Sequence, residues 1–350
     1  MPSSRLVRGA GLAAALTLLP AAAAEAAPRV TTAQGATPAA IQPAVDAFRA
    51  ELGAPNPNVA QSFPAGRREV NWDGVLAQFA SPNAFLGSFF NVNSPRGIEF
   101  TTPGTSTQVS SNAPSGVPER FGNIDPSYTD EFTVFSAPRL FTPIGSTLTD
   151  VNFFIPGTRR EATTNGFGVI FTDADREASS SVTFLDDQGA TLATVAAPVS
   201  PDRGLSFVGV SFPDGERIGR VRIRSGQTPL GTGVVDGAAT EVAVMDDFIY
   251  GEPKAGRVDL TDPDVVVAPG TTSATLAIRR GGDTSAPASV RVTTQDGTAR
   301  AGLNYTPIDV RVEFAAGEAV KLVAVPGLRP GATPTAFTVR LTDPAAPRLA

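Results

Sequence analysis

The sequence contains no cysteine and no histidine among its 350 residues. Without cysteine, disulfide bonds, thiol nucleophiles and thiolate metal sites are all excluded. Without histidine, the chain lacks the usual general base of serine hydrolases and the commonest nitrogen ligand of transition metals. Any metal site must therefore be built from oxygen atoms, which favours Ca²⁺ over Zn²⁺ or Cu²⁺.

Positive charge is also scarce, with 28 Lys and Arg against 34 Asp and Glu, a formal net charge of −6. The chain offers no basic stripe that could replace the counterions of a nucleic acid, so no nucleic-acid partner is expected. After residue 26, no apolar run reaches the about 18 residues that a membrane-spanning helix needs. Membrane insertion is therefore not expected either.

Residues 1–26 have the pattern of a secretory signal peptide. Arg5 and Arg8 precede an apolar stretch from Gly9 to Pro20, and Ala24-Glu25-Ala26 offers an A-x-A cleavage site. We therefore expect an exported protein, periplasmic, cell-surface or extracellular, after cleavage of the signal peptide. An N-terminal membrane anchor is the alternative interpretation.

Residues 27–65 form a lead-in rich in alanine and proline. Within it, apolar residues recur at the spacing of one helical face, and Gly53 follows the last of them. The sequence therefore predicts one short amphipathic helix over about 41–52 that docks on the following domain. The residues of its apolar face are Ile41, Val45, Phe48 and Leu52.

Residues 66–252 read as short strands separated by turns, since 34 glycines and 31 prolines punctuate the chain. The clearest strand is Val242–Tyr250, whose alternation would place Asp246 and Asp247 on opposite faces. Whichever face is buried, one carboxylate lies among apolar neighbours and needs a cation, a metal ion or several donors. Closely spaced strands without interleaved helices predict an all-β, antiparallel sandwich.

A resemblance sharpens this prediction. The order from Gly166-Phe167-Gly168 through the Leu205–Val210 strand to Asp246-Asp247-Phe248-Ile249-Tyr250-Gly251 resembles the second half of jelly-roll domains in exported bacterial proteins. Many of those domains are carbohydrate-binding or lectin-like. The resemblance implies a jelly-roll-like sandwich over 66–252.

After a linker at 253–257, residues 258–345 resemble a Calx-β domain. The resemblance lies in Ala274–Gly282, Val290–Thr294, Asp296–Tyr305, Val312–Glu318 and Phe337–Pro344. It implies a seven-stranded, immunoglobulin-like sandwich. In parts of that family, loops at one end bind Ca²⁺.

The family's Ca²⁺ ligands do not carry over to this sequence. The early acidic position is Ala268, the Asp before the family's Tyr is Asn304, and the later Asp pair falls in Pro326–Pro330. Thr335-Ala336 replaces the Glu before the closing Phe, and only Asp296 remains. One carboxylate and an amide do not make a cage of six to eight oxygens. We therefore expect a Calx-β scaffold with a degraded Ca²⁺ site, in which Asp296-Gly297 forms a turn and Asn304 a local cap.

The domain over 66–252 is the better metal candidate. If its first and last strands are neighbours, Asp73 lies near Asp246 and Asp247, and these three carboxylates could hold a structural Ca²⁺. The alternative is that Asp73 caps a turn and Asp246 pairs with an arginine. Asp173 and Asp175 have Asp-x-Asp spacing, for which a solvated turn is the favoured interpretation.

Five residues are candidates for binding a sugar, which usually requires an aromatic platform and polar groups. Trp72, Tyr128 and Tyr250 could supply the platform, and Asn91 and Asn93 lie in a polar segment that could line the site. A packing role is the alternative for each aromatic residue, and it is favoured for Trp72. The two asparagines could equally bond their own backbone.

These features together predict an exported, non-enzymatic recognition or adhesion protein. The expected partner is an extracellular glycan or a surface protein. A structural or matrix protein without a small ligand is the second hypothesis. A carboxylate-based glycoside hydrolase, pairing Asp247 with Glu69 or Glu99, is the third.

Overall fold

The computed structural model describes residues 16–18 and 27–345, except 188, 214–217, 256–257, 261–264, 269, 281–286 and 330–334. The chain divides into two compact units, which we call the first unit (Ala26–Gly256) and the second unit (Met1–Glu25 with Arg257–Ala350). Apart from the strand β1 (Leu16–Leu18), the predicted signal peptide lies outside the described residues. No helix that the structure describes is long and apolar enough to cross a membrane.

The first unit is built on two antiparallel sheets. The larger sheet has the order β2 (Arg29–Gly35), β12 (Leu205–Ser211), β9 (Gly166–Thr172), β14 (Val244–Gly251), β6 (Phe141–Ile144) and β5 (Ser106–Val109), and β3 (Arg67–Val70) also pairs with β14. The smaller sheet has the order β11 (Thr191–Ala196), β10 (Ser181–Leu185), β13 (Arg220–Arg224), β7 (Leu148–Phe153) and β4 (Ile98–Thr101). The strands β8 (Ala162–Thr163) and β15 (Lys254–Ala255) form a separate ribbon.

Helices are short in this unit except for α1 (Pro38–Leu52), which covers the segment for which the sequence predicts a helix. The other helices of the described residues are α2 (Phe89–Val92) and α3 (Tyr128–Glu131), with 3₁₀ turns at Ala77–Phe79 and Ala113–Ser115. Strands predominate over helices throughout, so the all-β prediction is confirmed.

The larger sheet is covered on both faces. One face packs on the smaller sheet, and the other receives the apolar side of α1, so β9, β12 and β14 are buried along their whole length. Gly168 and Gly209 lie opposite each other in β9 and β12. A Cβ atom at either position would come within 3.0 Å of the Phe48 ring, so the two glycines make room for α1 on the sheet.

The second unit contains two three-stranded antiparallel sheets within its described residues. One has the order β16 (Val258–Leu260), β18 (Ser273–Arg280) and β21 (Val320–Pro326). The other has the order β20 (Asp309–Phe314), β19 (Ala288–Asp296) and β22 (Phe337–Ala345), and β17 (Val265–Val267) pairs with β1. Tyr305 stacks on Phe337 with 4.0 Å between ring centroids.

Candidate functional site

Strand β14 carries a β-bulge at its two aspartates. Met245 pairs with Phe171 and Phe248 with Val169, so Asp246 and Asp247 together stand opposite the single residue Ile170. Strict alternation, predicted from the sequence, is therefore wrong at this point. Both carboxylates instead accept a hydrogen bond from one hydroxyl, at 3.2 Å from Ser136 Oγ to Asp246 and 2.7 Å to Asp247.

Asp246 is fully buried and surrounded by donors. The backbone N–H groups of Phe135 and Ser136 lie 2.6 and 3.3 Å from its Oδ2. Burial, and then the neighbouring charge of Asp247, hold the pKa of Asp246 well above its ordinary value. Asp73 lies close enough for its charge to add to this effect, and its own Oδ1 accepts the backbone N–H of Arg139 at 3.2 Å.

Asp247 is held by an arginine from α1. Arg49 Nη2 lies 3.3 Å from Asp247 Oδ2 and 2.8 Å from Glu69 Oε2, so one guanidinium binds both carboxylates. Burial raises the pKa of Asp247 to about 6 in spite of the hydrogen bond from Ser136 and the charge of Arg49. Asp247 and Glu69 are the pair considered above for a glycoside hydrolase, and the Arg49 guanidinium bridges their carboxylates.

This arrangement does not fit the predicted metal site at Asp73, Asp246 and Asp247. N–H groups and a guanidinium already point at the carboxylate oxygens, and a positive side chain at this distance repels a metal ion. The three aspartates do come together, as predicted. They form an internal hydrogen-bond network that fastens α1 and the segment around Ser136 to β14.

The predicted aromatic platform lies inside the protein. Trp72 is 1% exposed, stacks on Phe141 with 4.2 Å between ring centroids, and donates its indole N–H to the Asp246 carbonyl at 2.8 Å. Tyr250 is fully buried and donates its hydroxyl to the Arg96 carbonyl at 3.0 Å. Neither ring offers a face to a ligand, so the packing interpretation replaces the sugar-binding one for both.

The two asparagines differ in their surroundings. Asn91 is 1% exposed, and its amide bonds the Glu99 carboxylate at 2.8 Å, the Thr158 carbonyl at 2.7 Å and the Gly157 N–H at 3.1 Å. These bonds use its polar atoms within the protein and leave none for a sugar. Asn93 is exposed at the end of α2, where a ligand-binding role stays a prediction.

A second group of carboxylates, which we call the acidic cluster, was not predicted from the sequence. The oxygens of Glu131, Asp173 and Asp236 lie within 4.8 Å of one another, and those of Asp173, Asp175 and Asp202 do the same. Asp173 is fully buried at the end of β9, so the solvated turn predicted for it is wrong. Apart from Asp173 and Asp175, the members of the acidic cluster are far apart in the sequence. The Asp-x-Asp spacing of these two residues after a buried strand is the local signal that the sequence offers.

Burial and mutual repulsion raise the pKa values of acids in and beside this cluster. Burial, and then the charges of Glu131 and Asp236, raise the pKa of Asp173 to about 9 although it accepts the Arg203 N–H. Burial and the neighbouring acids likewise raise the pKa of Asp236 to about 6. The nearby Glu241 is fully buried, and its pKa is raised to about 8 by burial and by Asp175.

The outer face of the smaller sheet carries mostly polar side chains, and Arg222 and Arg224 on it are exposed. Strand β13 places Val221 and Ile223 in the core and directs Arg220, Arg222 and Arg224 outward, as the sequence pattern predicts. We call this surface the arginine face. Across the sheet, the residues paired with these arginines are Ser181, Thr183 and Leu185 of β10 and Leu148, Asp150 and Asn152 of β7.

In the second unit, the acidic side chain retained from the family pattern makes local bonds. Asp296 Oδ1 accepts the Tyr305 hydroxyl at 2.6 Å and the Ala301 N–H at 2.8 Å. The hydrogen bond from Tyr305 lowers the pKa of Asp296. Asn304 Oδ1 accepts the Arg300 N–H at 2.9 Å, which is the bond of a local cap.

Residues 252–342 match the Calx-beta domain. Among solved structures, the chain is similar to the apo-form Calx CBD1 domain, at 28% identity over 22% of this chain and 71% of that chain, with a TM-score of 0.21. It is also similar to CBD12 from CALX1.2, at 16% identity over 57% of this chain and 74% of that chain, with a TM-score of 0.24. A third similar structure is the calcium binding domain CBD12 of CALX1.1, at 16% identity over 58% of this chain and 74% of that chain, with a TM-score of 0.23. No curated protein matches the chain.

The described residues of this Calx-beta domain do not fit a Ca²⁺ ion. Two donors occupy Asp296 Oδ1, and Arg300 Nη1 lies 3.9 Å from Oδ2. Within the part of the domain that the structure describes, no three acidic side chains gather their oxygens within 4.8 Å. Oxygen ligands for a metal ion converge instead in the acidic cluster of the first unit.

Proposed function

We propose that this chain is an exported, non-enzymatic recognition protein. Its first unit would bind an acidic polysaccharide on the arginine face, and its Calx-beta domain would serve as a scaffold or spacer. The observation that carries the proposal is the line of three arginines on alternate residues of β13, on a sheet face whose side chains are mostly polar.

The charges on this face favour an anionic ligand. Arg222 is neutralised, because its guanidinium bonds Asp150 through two contacts of 2.7 and 2.8 Å. Arg220 and Arg224 form no ion pair with any side chain that the structure describes. Arg224 is exposed and can take a carboxylate in the two-bond geometry that guanidinium favours, whereas the Nε atom of Arg220 is buried, so this side chain would bind through its two Nη atoms. Arg220 and Arg224 are four residues apart on β13, a distance of about 13 Å along the strand, so these two side chains could hold separate acidic groups of one polymer.

Hydroxyl and amide groups beside the arginines suit the neutral parts of a sugar chain. Thr183 and Thr194 lie on the same outward rows, where their hydroxyls are 3.3 Å apart, and Asn152 lies beside Arg220. The proposal is non-enzymatic because the chain has no histidine or cysteine and because Arg49 closes the Asp247–Glu69 pair. Neither acid is then free to donate or accept a proton at a glycosidic bond.

Titration with polygalacturonate and with a neutral glucan, followed by affinity electrophoresis, tests the proposal. We expect the wild-type protein to be retarded by polygalacturonate alone. The double variant Arg220→Gln/Arg224→Gln should lose at least nine-tenths of this retardation. Arg340→Gln, which removes an exposed arginine of the second unit, is the matched control and should behave as wild type. Equal loss in both variants, or no retardation by the polyanion, would refute the proposal.

A structural role without a small ligand is the second candidate, and the edge strand β21 favours it. Among the described strands, β21 lies at the edge of its sheet, so its outer backbone groups could pair with another strand. Val320 and Leu322 on one face of this strand are 52% and 69% exposed and could be buried by such a partner. The partner would be a second copy of this chain. Sedimentation equilibrium should then show concentration-dependent dimers that Leu322→Lys abolishes, and a monomer at all concentrations would exclude this role.

A further inference from the structure

The acidic cluster brings together carboxylates from separate parts of the first unit. Glu131 ends α3, Asp173 follows β9, and Asp236 lies in the segment before β14. Their oxygens lie within 4.8 Å of one another. At that separation, three negative charges repel strongly unless a cation or protons lie between them.

A buried oxygen without a donor points to a ligand at this place. Asp173 is fully buried, and its Oδ1 accepts the Arg203 N–H at 2.8 Å. Its Oδ2 has no hydrogen-bond partner among the residues that the structure describes, although it is shielded from solvent. Buried carboxylate oxygens are normally satisfied, so an unpartnered one that faces other carboxylates requires either a shared proton or a bound cation.

Glu131 also has a buried carboxylate oxygen without a hydrogen-bond donor among the described residues. Glu131 is 7% exposed, and this oxygen is its Oε1. The Arg203 guanidinium lies beside it, with Nε 3.8 Å from Glu131 Oε1, on a side chain that is 53% exposed. A surface arginine at this distance only partly balances the cluster, and it can move aside for an ion.

From these contacts we infer that the acidic cluster binds one Ca²⁺ ion. Glu131, Asp173 and Asp236 would supply the carboxylate ligands, and water would supply the rest of the six to eight oxygens that Ca²⁺ takes. Asp175 and Asp202, which form a second group of three with Asp173, would add negative charge on the solvent side and bind the ion through water. Mg²⁺ demands a near-ideal octahedron and sheds its water reluctantly, so it suits this irregular set of acids less well.

The ion would add a link between elements that meet at the edge of the main core. The segments around α3 and before β14 pack in a small separate apolar cluster, whose members are Phe121, Tyr128, Phe132, Leu140, Leu230, Val242 and Val244. A metal bridging Glu131, Asp173 and Asp236 would tie this cluster to the end of β9. The inference is independent of the proposed polysaccharide binding, which uses the opposite charge on another face.

Isothermal titration of the chelator-treated full chain with CaCl₂ tests the inference. We expect one Ca²⁺ per chain and at least tenfold weaker binding in Asp236→Asn and in Asp202→Asn. Both side chains are at least partly exposed, so these variants spare the core. Asp296→Asn, in the Calx-beta domain, is the matched control and should bind Ca²⁺ as wild type.

A second measurement separates a metal site from a folding defect. Each variant should show a cooperative thermal transition without metal, and only the wild type and Asp296→Asn should gain melting temperature with Ca²⁺. Two results would overturn the inference. One is the absence of both heat and a melting shift when wild type meets millimolar Ca²⁺. The other is a loss of binding in Asp296→Asn equal to that in Asp236→Asn.

Discussion

A buried ion pair in the first unit gives the sharpest prediction about stability. Arg68 and Glu252 have fully buried side chains joined by two hydrogen bonds of 2.8 and 2.9 Å. Arg68 also donates to the carbonyls of Gln61 and Pro95, at 2.6 and 2.8 Å. Glu252 also accepts the backbone N–H of Phe63 at 3.1 Å. The pair therefore fastens the segment before β3 to the end of β14.

Removing either partner alone should be costly. Arg68→Met leaves a buried carboxylate without its cation, and Glu252→Gln leaves a buried guanidinium without its anion. Each change should lower the free energy of unfolding by about 3–5 kcal/mol, the range for breaking a buried pair. The double variant leaves no unpaired charge, and Gln can still accept the Phe63 N–H. The double variant should lower the free energy of unfolding by about 3–5 kcal/mol in total, well below the sum of the two single changes.

Urea unfolding followed by tryptophan fluorescence can measure this cycle. Trp72 is the single tryptophan of the chain and lies in the core of the first unit, so its emission reports on that unit alone. The exposed pair Arg222–Asp150 is the matched control, and its cycle should give about 0.2–1 kcal/mol. Single changes at Arg68 and Glu252 that cost less than about 1 kcal/mol, without coupling, would refute the reasoning.

Three further predictions concern the core, the pH dependence and the second unit. Trp72→Phe should cost about 2–4 kcal/mol, measured by circular dichroism, because a cavity opens and a buried carbonyl loses its donor. The pKa of Asp247 is raised to about 6 in the folded protein. Between about pH 4 and 6, Asp247 therefore holds a proton in the folded protein but not in the unfolded chain. Stability should therefore fall as pH rises from 4 to 7, and Asp247→Asn should flatten this fall; an unchanged slope would contradict it. Asp296→Ala should lower the melting temperature of the second unit, because the Tyr305 hydroxyl loses its acceptor; an unchanged melting temperature would contradict this.

Much of the fold follows from local patterns in the sequence. The helical spacing of Ile41, Val45, Phe48 and Leu52 predicts a docked helix, and all four residues are buried in α1. The alternation of Val221 and Ile223 with arginines predicts a strand with one solvated face, and β13 has that face. These features are local, because one strand or helix decides which side is buried.

The candidate site was less accessible to prediction. The alternation of the sequence predicts that one of Asp246 and Asp247 is buried and needs a partner, whereas both are buried in the structure. The bulge that causes this depends on the pairing of β14 with β9 and has no local signature. The acidic cluster combines Glu131, Asp173 and Asp236 from distant parts of the chain. Their proximity arises from tertiary packing. The position of Trp72 in a strand beside Val70 favours a packing role, and Trp72 is buried in the structure.

Among the described residues, converging oxygen ligands for a metal ion lie in the first unit and not in the Calx-beta domain. Crystals grown with CaCl₂ and measured at long wavelength would locate bound calcium directly by its anomalous scattering. We predict a peak among Glu131, Asp173 and Asp236. A peak beside Asp296 with none in the acidic cluster, or no calcium peak at all, would contradict the claim.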